Sequence, residues 1–257
     1  MNDADYLAVL AAEQTATIAH HVLPDGRSVW LRKAGRRNPA WRYALLGAAV
    51  KVLRLGVLAP VPNVGGHAGI ATEAARLQAL AAAGVYVPRL LAVQENALLM
   101  SDLGGHTLLH GVGVEAEQGQ LSFWQQGLEA LAAVHRQGQY LSQAFARNMM
   151  VDEQGRIGFI DFEDDPATVL TLAQCQSRDY LCYLQSTAVL LRGQGLLPQA
   201  VVIWHEHLQT RPPDLRDSLM RTVRPIAWMQ HLQHRRWGND TLRLGAVAAL
   251  FAAWDEQ

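Results

Sequence analysis

Two short apolar runs separated by a polar turn constrain the fold of this 257-residue chain most strongly. Residues 149–151 and 157–160 flank a polar turn that ends in glycine, which predicts a β-hairpin. Asn148 directly precedes the first run and Asp161 directly follows the second, so a tight hairpin would bring an amide oxygen and a carboxylate together. Hard oxygen ligands that leave open positions suit Mg²⁺ carrying substrate phosphates. The alternative is a surface hairpin with ordinary turn residues.

The composition allows a large core and argues against several classes of function. Half of the residues are apolar and the net charge is -1, which gives no support to nucleic-acid binding. Cys175 and Cys182 form neither a disulfide framework nor a zinc spacing, which favours a reducing compartment. The acidic N-terminus does not resemble a signal peptide, and no apolar run reaches the length of a membrane span. We therefore expect a cytoplasmic protein with one bilobal domain or two small ones.

One segment of the chain is basic and free of acidic residues. No aspartate or glutamate occurs between Asp25 and Glu73, and within this interval residues 39–58 show the apolar spacing of a helix with basic side chains interspersed. This helix either packs on the core or touches an anionic inner-membrane surface or a phosphorylated glycolipid. The basic residues of the interval are Arg27, Arg32, Lys33, Arg36, Arg37, Arg42, Lys51 and Arg54.

The order of predicted elements indicates an α+β, bilobal fold. Residues 1–103 predict about four strands and a helix rich in small and apolar residues, with the basic apolar helix at 39–58 as an insertion, and form a small β-rich N-lobe. Residues 104–257 predict a mostly helical C-lobe that carries a catalytic hairpin at 143–166. Glu73 is expected in the first turn of its helix, where its simplest role would be to stabilise the helix N-terminus. A further helix is expected over residues 215–234.

The parts of the chain resemble, in their order, a protein-kinase-like phosphotransferase. The resemblance is carried by Lys33 at the end of a strand, Glu73 on a helix, Asp102 after a strand, and Asn148 and Asp161 around the hairpin. It is nearest to bacterial lipopolysaccharide-core kinases, such as the heptose and Kdo kinases, and to aminoglycoside phosphotransferases. This implies a protein-kinase-like fold with a nucleotide site between its two lobes.

The resemblance also implies a role for each of these residues. Lys33 would contact the α- and β-phosphates of ATP and pair with Glu73, and Asp102 would belong to the nucleotide site. Asn148 and Asp161 would hold Mg²⁺. These roles agree with the chemistry, because phosphoryl transfer needs positioned cations around spreading negative charge and little covalent work from the protein.

The sequence departs from the family pattern at the catalytic position. The family's catalytic aspartate should lie five residues before the metal asparagine, and Gln143 stands there. Glutamine cannot act as a general base, although it can orient an acceptor hydroxyl. The chain also lacks a glycine-rich phosphate loop. Three carboxylates follow Phe162, and we hypothesise that one of them takes over the role of the base: Glu163, Asp164 or Asp165.

Two functions remain open from the sequence. The first is an ATP- and Mg²⁺-dependent phosphotransferase acting on a hydroxyl of a lipopolysaccharide-core sugar, a glycolipid or a small metabolite. The second is a pseudokinase that binds nucleotide or protein partners without catalysis, which Gln143 favours. Asp179 resembles the helix aspartate that braces the catalytic loop in this superfamily, and its alternative is an exposed helix charge. The run at 235–237, with two arginines and a tryptophan, either grips a phosphate or sugar or is a solvated helix end.

Overall fold

The computed structural model describes residues 1–35, 65–252 and 254 of the chain. The helices in these ranges are α1 (Asp3–Glu13), α2 (Gly66–Ala82), α3 (Leu108–Glu117), α4 (Ser122–Arg136), α5 (Leu172–Gly193), α6 (Leu197–Gln209), α7 (Pro213–Val223) and α8 (Asn239–Leu250). The strands are β1 (Ile18–Val22), β2 (Ser28–Lys33), β3 (Leu90–Gln94), β4 (Ala97–Ser101), β5 (His106–Thr107), β6 (Met149–Val151) and β7 (Ile157–Phe159). Short 3₁₀ segments occupy Ala146–Asn148, Pro166–Thr168, Arg224–His231 and Arg235–Trp237. The helix predicted over 39–58 lies outside the described residues.

The N-terminal part of the chain forms a four-stranded antiparallel sheet in the order β1-β2-β4-β3. Strand β2 pairs with both β1 and β4. Because side chains alternate between the two faces of a strand, Val29 and Leu31 share one face, and both are fully buried in a cluster with Leu7 of α1. Trp30 and Arg32 therefore project from the opposite face, toward the C-terminal part of the chain.

The remainder of the described chain is mostly helical. Helix α5 contributes twelve buried residues along its 22-residue length and contacts α7 and α8. Buried aromatic side chains fill this core, including Trp124, Tyr183 and Trp204. A second, three-stranded sheet in the order β5-β6-β7 lies beside it. The predicted hairpin is confirmed as β6 and β7, which pair antiparallel.

The structure confirms the predicted α+β class, with a small antiparallel sheet lobe followed by a mostly helical lobe. The boundary at residue 103 stays a prediction. Two predicted helix bounds were wrong. Helix α2 begins at Gly66, so Glu73 lies two turns inside it and cannot stabilise its N-terminus. The helix predicted over 215–234 ends at Val223, and a 3₁₀ segment follows because Pro225 has no N–H to continue the α-helical ladder.

Within the described ranges, no helix combines the length and the apolar character needed to span a membrane. The predicted peripheral contact with an anionic membrane concerned residues 39–58 and stays a prediction.

Candidate active site

Arg32 is the centre of an ion cluster between the two lobes. Its Nε lies 3.2 Å from Glu73 Oε2, and its Nη1 lies 3.3 Å from Asp161 Oδ1. Its Nη2 donates to Glu163 Oε2. The Arg32 side chain is 15% exposed and that of Glu73 is 1% exposed, so part of the cluster is screened from water. One guanidinium therefore faces three carboxylates from a helix and from the segment after β7.

The predicted pairing of Lys33 with Glu73 was wrong. Lys33 Nζ donates to the carbonyl oxygens of Ala11 and Gln14, both at 2.8 Å, on the α1 side of the sheet. The physical reason is the alternation of the strand, which places Lys33 on the same face as Leu31 and turns Arg32 toward Glu73. Arg32 thus occupies the place that the resemblance had given to Lys33.

Burial makes Glu73 a weak acid. Desolvation raises its pKa from 4.5 to about 7, opposed by Arg32 and reinforced by the negative charges of Asp161 and Glu163. Arg32 therefore does not fully offset the cost of burying this charge, and Glu73 holds a proton more readily than an exposed glutamate does.

The ends of the hairpin converge as predicted. Asn148 Nδ2 donates to Asp161 Oδ2 at 3.2 Å and to the carbonyl oxygen of Gln143 at 3.0 Å. Both amide hydrogens are thereby used, which leaves Asn148 Oδ1 as the atom of this side chain that could ligate a metal. Asp161 has a positive φ of 74°, a backbone conformation that residues other than glycine rarely adopt and that is often found at functional sites. The structure thus brings Asn148 and Asp161 together at the edge of the Arg32 cluster.

Asp179 braces the loop before the hairpin. Its carboxylate is fully buried and accepts hydrogen bonds from the backbone N–H groups of Leu141 at 2.9 Å and Ser142 at 3.1 Å. His135 Nε2 lies 3.0 Å from the same carboxylate. Ser142 has a φ of 84°, so these bonds hold a backbone conformation that is unfavourable for serine. The interpretation of Asp179 as an exposed helix charge was therefore wrong.

Helix α2 connects the Arg32 cluster to this loop. Glu73 and Arg76 are three residues apart and so share one face of the helix. Arg76 Nη2 donates to the carbonyl oxygen of Tyr140 at 2.6 Å, and its guanidinium lies 4.0 Å from the centre of the Tyr140 ring. A shift of α2 would therefore move the Arg32 cluster and the loop that carries Tyr140 together.

Gln143, which the resemblance placed at the position of a catalytic aspartate, contacts a carboxylate. Its Nε2 donates to Asp164 Oδ2 at 2.9 Å. The neighbouring hydroxyl, Ser142 Oγ, donates to the carbonyl oxygen of Asp164 at 2.7 Å. The loop at residues 142–143 and the acidic segment after β7 are therefore joined through both side-chain and main-chain atoms.

A cavity of about 400 Å³ opens beside the Arg32 cluster. Arg32, Asn148 and Asp161 form its polar end, and Trp30 and Asp102 line it as well. Asp102 Oδ1 accepts hydrogen bonds from Trp30 Nε1 at 2.9 Å and from the Gly104 N–H at 3.1 Å. The volume lies within the range of small-molecule sites in proteins. Asp102 thus lines the cavity with one carboxylate oxygen already engaged by the protein, and its place in a nucleotide site stays a prediction.

Comparison with known proteins gave little further information. No family model and no curated protein matches the chain. Among solved structures, the chain is similar to the apoenzyme of macrolide 2'-phosphotransferase MphH from Brachybacterium faecium, with 14% identity over 96% of this chain and 98% of that one. The TM-score of 0.32 is too low to support an inference from that protein. We therefore base the function on the chain's own residues.

The sequence did contain a signal for Arg32. Side chains alternate along β2, so one face carries Val29, Leu31 and Lys33 and the other carries Trp30 and Arg32. The apolar Val29 and Leu31 mark the first face as the one that packs on the core. Applied to β2, this alternation would have placed Lys33 on the core face. The contact between Gln143 and Asp164 had no comparable signal, because 21 positions separate the two residues and the intervening chain fixes their approach.

Proposed function

We propose that the protein binds ATP with Mg²⁺ in this cavity and transfers the γ-phosphoryl group to an acceptor hydroxyl. The observation that carries the proposal is the meeting of Asn148 and Asp161 at 3.2 Å beside the pair of Arg32 and Glu73. A cation that is oriented by a buried carboxylate, next to two oxygen ligands, is the minimal apparatus for phosphoryl transfer.

The residues of the site fit a hydrated Mg²⁺ ion. In the described ranges, no group of three or more His, Cys, Asp or Glu side chains could hold a metal by itself. Two protein ligands are sufficient for Mg²⁺, which usually keeps several waters and binds substrate phosphates. Asn148 Oδ1 and Asp161 would hold the ion, which would neutralise phosphate charge when bound. The excess of carboxylates around Arg32 favours a divalent cation at this edge of the cluster.

Arg32 suits the phosphate role in place of Lys33. Its planar guanidinium presents five donors, and two of them can bind two phosphate oxygens at once. ATP binding would require Arg32 to exchange part of its contact with Asp161 for a phosphate. The cavity wall beyond Trp30 is mainly apolar and suits a flat purine ring; it includes Pro88, Met100, Leu103, Met150 and Ile160.

We propose a hydroxyl of a lipopolysaccharide-core sugar, a glycolipid or a small metabolite as the acceptor. An anionic acceptor was suggested by the segment without acidic residues. Three basic residues of this segment already have partners within the protein. Arg27 pairs with Asp3 and Asp25, Arg32 pairs with the carboxylates of its cluster, and Lys33 donates to a carbonyl oxygen of α1. The suggestion therefore depends on the basic residues between positions 36 and 54, which are Arg36, Arg37, Arg42, Lys51 and Arg54.

The proposal is tested by measuring ADP release from Mg²⁺-ATP, with and without a panel of hydroxylated acceptors that includes core sugars. We expect turnover that requires Mg²⁺ and that falls at least ~100-fold in Asp161→Ala, because the metal carboxylate is lost. The Asp240→Ala variant, at an exposed position, serves as the control for the loss of a carboxylate. Turnover that is equal in Asp161→Ala and wild type would contradict the proposed site.

A second candidate is a pseudokinase that binds nucleotide or a protein partner without turnover. Two observations favour it: Gln143 cannot accept a proton, and Arg32 contacts Asp161, the expected metal ligand, at 3.3 Å. Mg²⁺-dependent ATP binding without ADP release, across the acceptor panel, would select this function over the first.

A further inference from the structure

We propose that Asp164 is the catalytic residue that accepts the proton of the acceptor hydroxyl, in place of the aspartate that Gln143 replaces. This inference rests on the proposed phosphotransferase function and adds to it the identity of the base. The carboxylate lies next to the expected catalytic position, because Gln143 Nε2 donates to Asp164 Oδ2 at 2.9 Å.

The other carboxylates near the metal ligands already have cationic or structural partners. Glu73, Asp161 and Glu163 all contact Arg32. Asp165 accepts hydrogen bonds from the Tyr140 hydroxyl at 2.6 Å and from the Ala167 N–H at 3.1 Å. These contacts occupy carboxylate lone pairs that an acceptor hydroxyl would otherwise reach.

Among the described residues, Asp164 has a buried oxygen that accepts no hydrogen bond and, unlike Glu73, which shares this feature, it does not contact Arg32. Its Oδ1 is buried and makes no hydrogen bond with any residue that the structure describes. Buried polar atoms are normally satisfied, so we take this unsatisfied acceptor, on a residue that is hydrogen-bonded to Gln143, to await a donor that arrives with the substrate. An acceptor hydroxyl would supply that donor.

Asp164 is held in place through its backbone as well. Ser142 Oγ donates to its carbonyl oxygen at 2.7 Å, and the loop that carries Ser142 is itself fixed by Asp179. A base must be positioned within hydrogen-bond distance of the proton that it removes. The two bonds from residues 142 and 143 provide this positioning independently of nucleotide.

The surroundings also make Asp164 more basic than a free aspartate. Burial raises its pKa, and the negative charges of Glu163 and Asp161 raise it further. The hydrogen bond from Gln143 and the positive charge of Arg178 act in the opposite direction. A carboxylate with a raised pKa holds a transferred proton better, which suits a general base.

In the reaction, the O–H bond of the acceptor breaks and its proton moves to Asp164 Oδ1. The acceptor oxygen forms a bond to the γ-phosphorus of ATP. The bond from that phosphorus to the bridging oxygen breaks, and ADP leaves with the electron pair. Gln143 would remain bound to Oδ2 throughout, holding the carboxylate toward the acceptor.

The test compares two variants. The first is Asp164→Asn. The second combines Gln143→Asp and Asp164→Asn, so that the amide and the carboxylate exchange places. The assay is ADP release from Mg²⁺-ATP with water as the acceptor, measured from about pH 5 to 9. We expect Asp164→Asn to lower kcat about 100-fold, the usual contribution of a general base, and to remove the acidic limb of the pH profile. The exchanged variant should regain at least about tenfold over Asp164→Asn. Asp165→Asn is the matched control in the same acidic run and should keep both kcat and the profile.

ATP binding, measured by thermal shift, should be unchanged in all three variants. A kcat of Asp164→Asn within about threefold of wild type would overturn this inference and leave the phosphotransferase function standing. The inference would also be overturned if the exchanged variant melted like wild type but regained no turnover. If wild type binds Mg²⁺-ATP and releases no ADP with water or with any member of the acceptor panel, both the inference and the phosphotransferase function fail, and the pseudokinase remains.

Discussion

The buried glutamate of the ion cluster gives a quantitative prediction about stability. The pKa of Glu73 rises from 4.5 to about 7 because of burial. One unit of pKa corresponds to ~1.4 kcal/mol, so the native state binds this proton more tightly than the unfolded state does, by roughly 3 kcal/mol. Because only 1% of the side chain is exposed, solvent screening reduces this value little.

The sign follows from the protonation of each state. Below pH 4.5, both states carry the proton and the stabilisation is fully present. As the pH rises toward 7, the unfolded state releases its proton while the native state keeps it, so the stabilisation declines and is lost above about pH 7. Glu73→Gln resembles the protonated form at every pH and should not lose this contribution.

The assay is urea unfolding of wild type and Glu73→Gln between about pH 4.5 and 8.5. As the pH rises across this range, the unfolding free energy of wild type should fall by about 3 kcal/mol relative to that of Glu73→Gln. The contributions of the other titrating groups are largely the same in both proteins and cancel in this difference. Near neutral pH this corresponds to roughly 6–12 °C in Tm for a chain of this size. Glu117→Gln, at an exposed position of α3, is the control for losing one carboxylate. A difference that stays constant with pH would refute the account of the cluster.

Three further predictions concern single positions. Gly104 and Gly105 both have positive φ, of 69° and 73°, but an added Cβ meets nothing within 4 Å at Gly104 and overlaps the β6 backbone at Gly105. Gly104→Ala should cost ~1 kcal/mol in urea unfolding and Gly105→Ala at least ~2 kcal/mol more, and equal costs would contradict this packing. Asp179→Ala should cost roughly 3 kcal/mol, because two buried loop amides lose their acceptor, and a cost below ~1 kcal/mol would contradict its bracing role. Lys33→Met should leave ATP affinity unchanged in a fluorescence titration, whereas Arg32→Lys should weaken it about tenfold; the reverse order would restore the lysine to the phosphate role.

The parts of the site that were predicted correctly depend on local sequence. The turn before Arg156 specifies a hairpin by its own chemistry, because Asp152 Oδ1 accepts hydrogen bonds from the N–H groups of Gln154 at 3.0 Å and Arg156 at 2.8 Å. Once the hairpin forms, Asn148 and Asp161 must meet. Their approach therefore needed no knowledge of the rest of the fold.

The parts that were missed depend on which face of an element is covered. The assignment of Lys33 was wrong because it rested on the position of this residue along β2. It did not account for the face of the sheet from which Lys33 projects, which is the face that α1 covers. The start of α2 was predicted too late, at the turn before Glu73, because glycine disfavours helix, whereas Gly66 and Gly69 are helical here. The contact of Gln143 with Asp164 is tertiary and required the structure.

The central claim is a nucleotide site built on Asp161, and its most direct test is a thermal-shift titration. ATP is added with and without Mg²⁺ to wild type, Asp161→Ala and the control Asp240→Ala. A ligand that binds the folded state at about 100 times its Kd raises stability by ~2.7 kcal/mol. We predict a shift of several degrees that requires Mg²⁺, persists in Asp240→Ala and disappears in Asp161→Ala. No shift at millimolar ATP, or an equal shift in Asp161→Ala, would contradict the account.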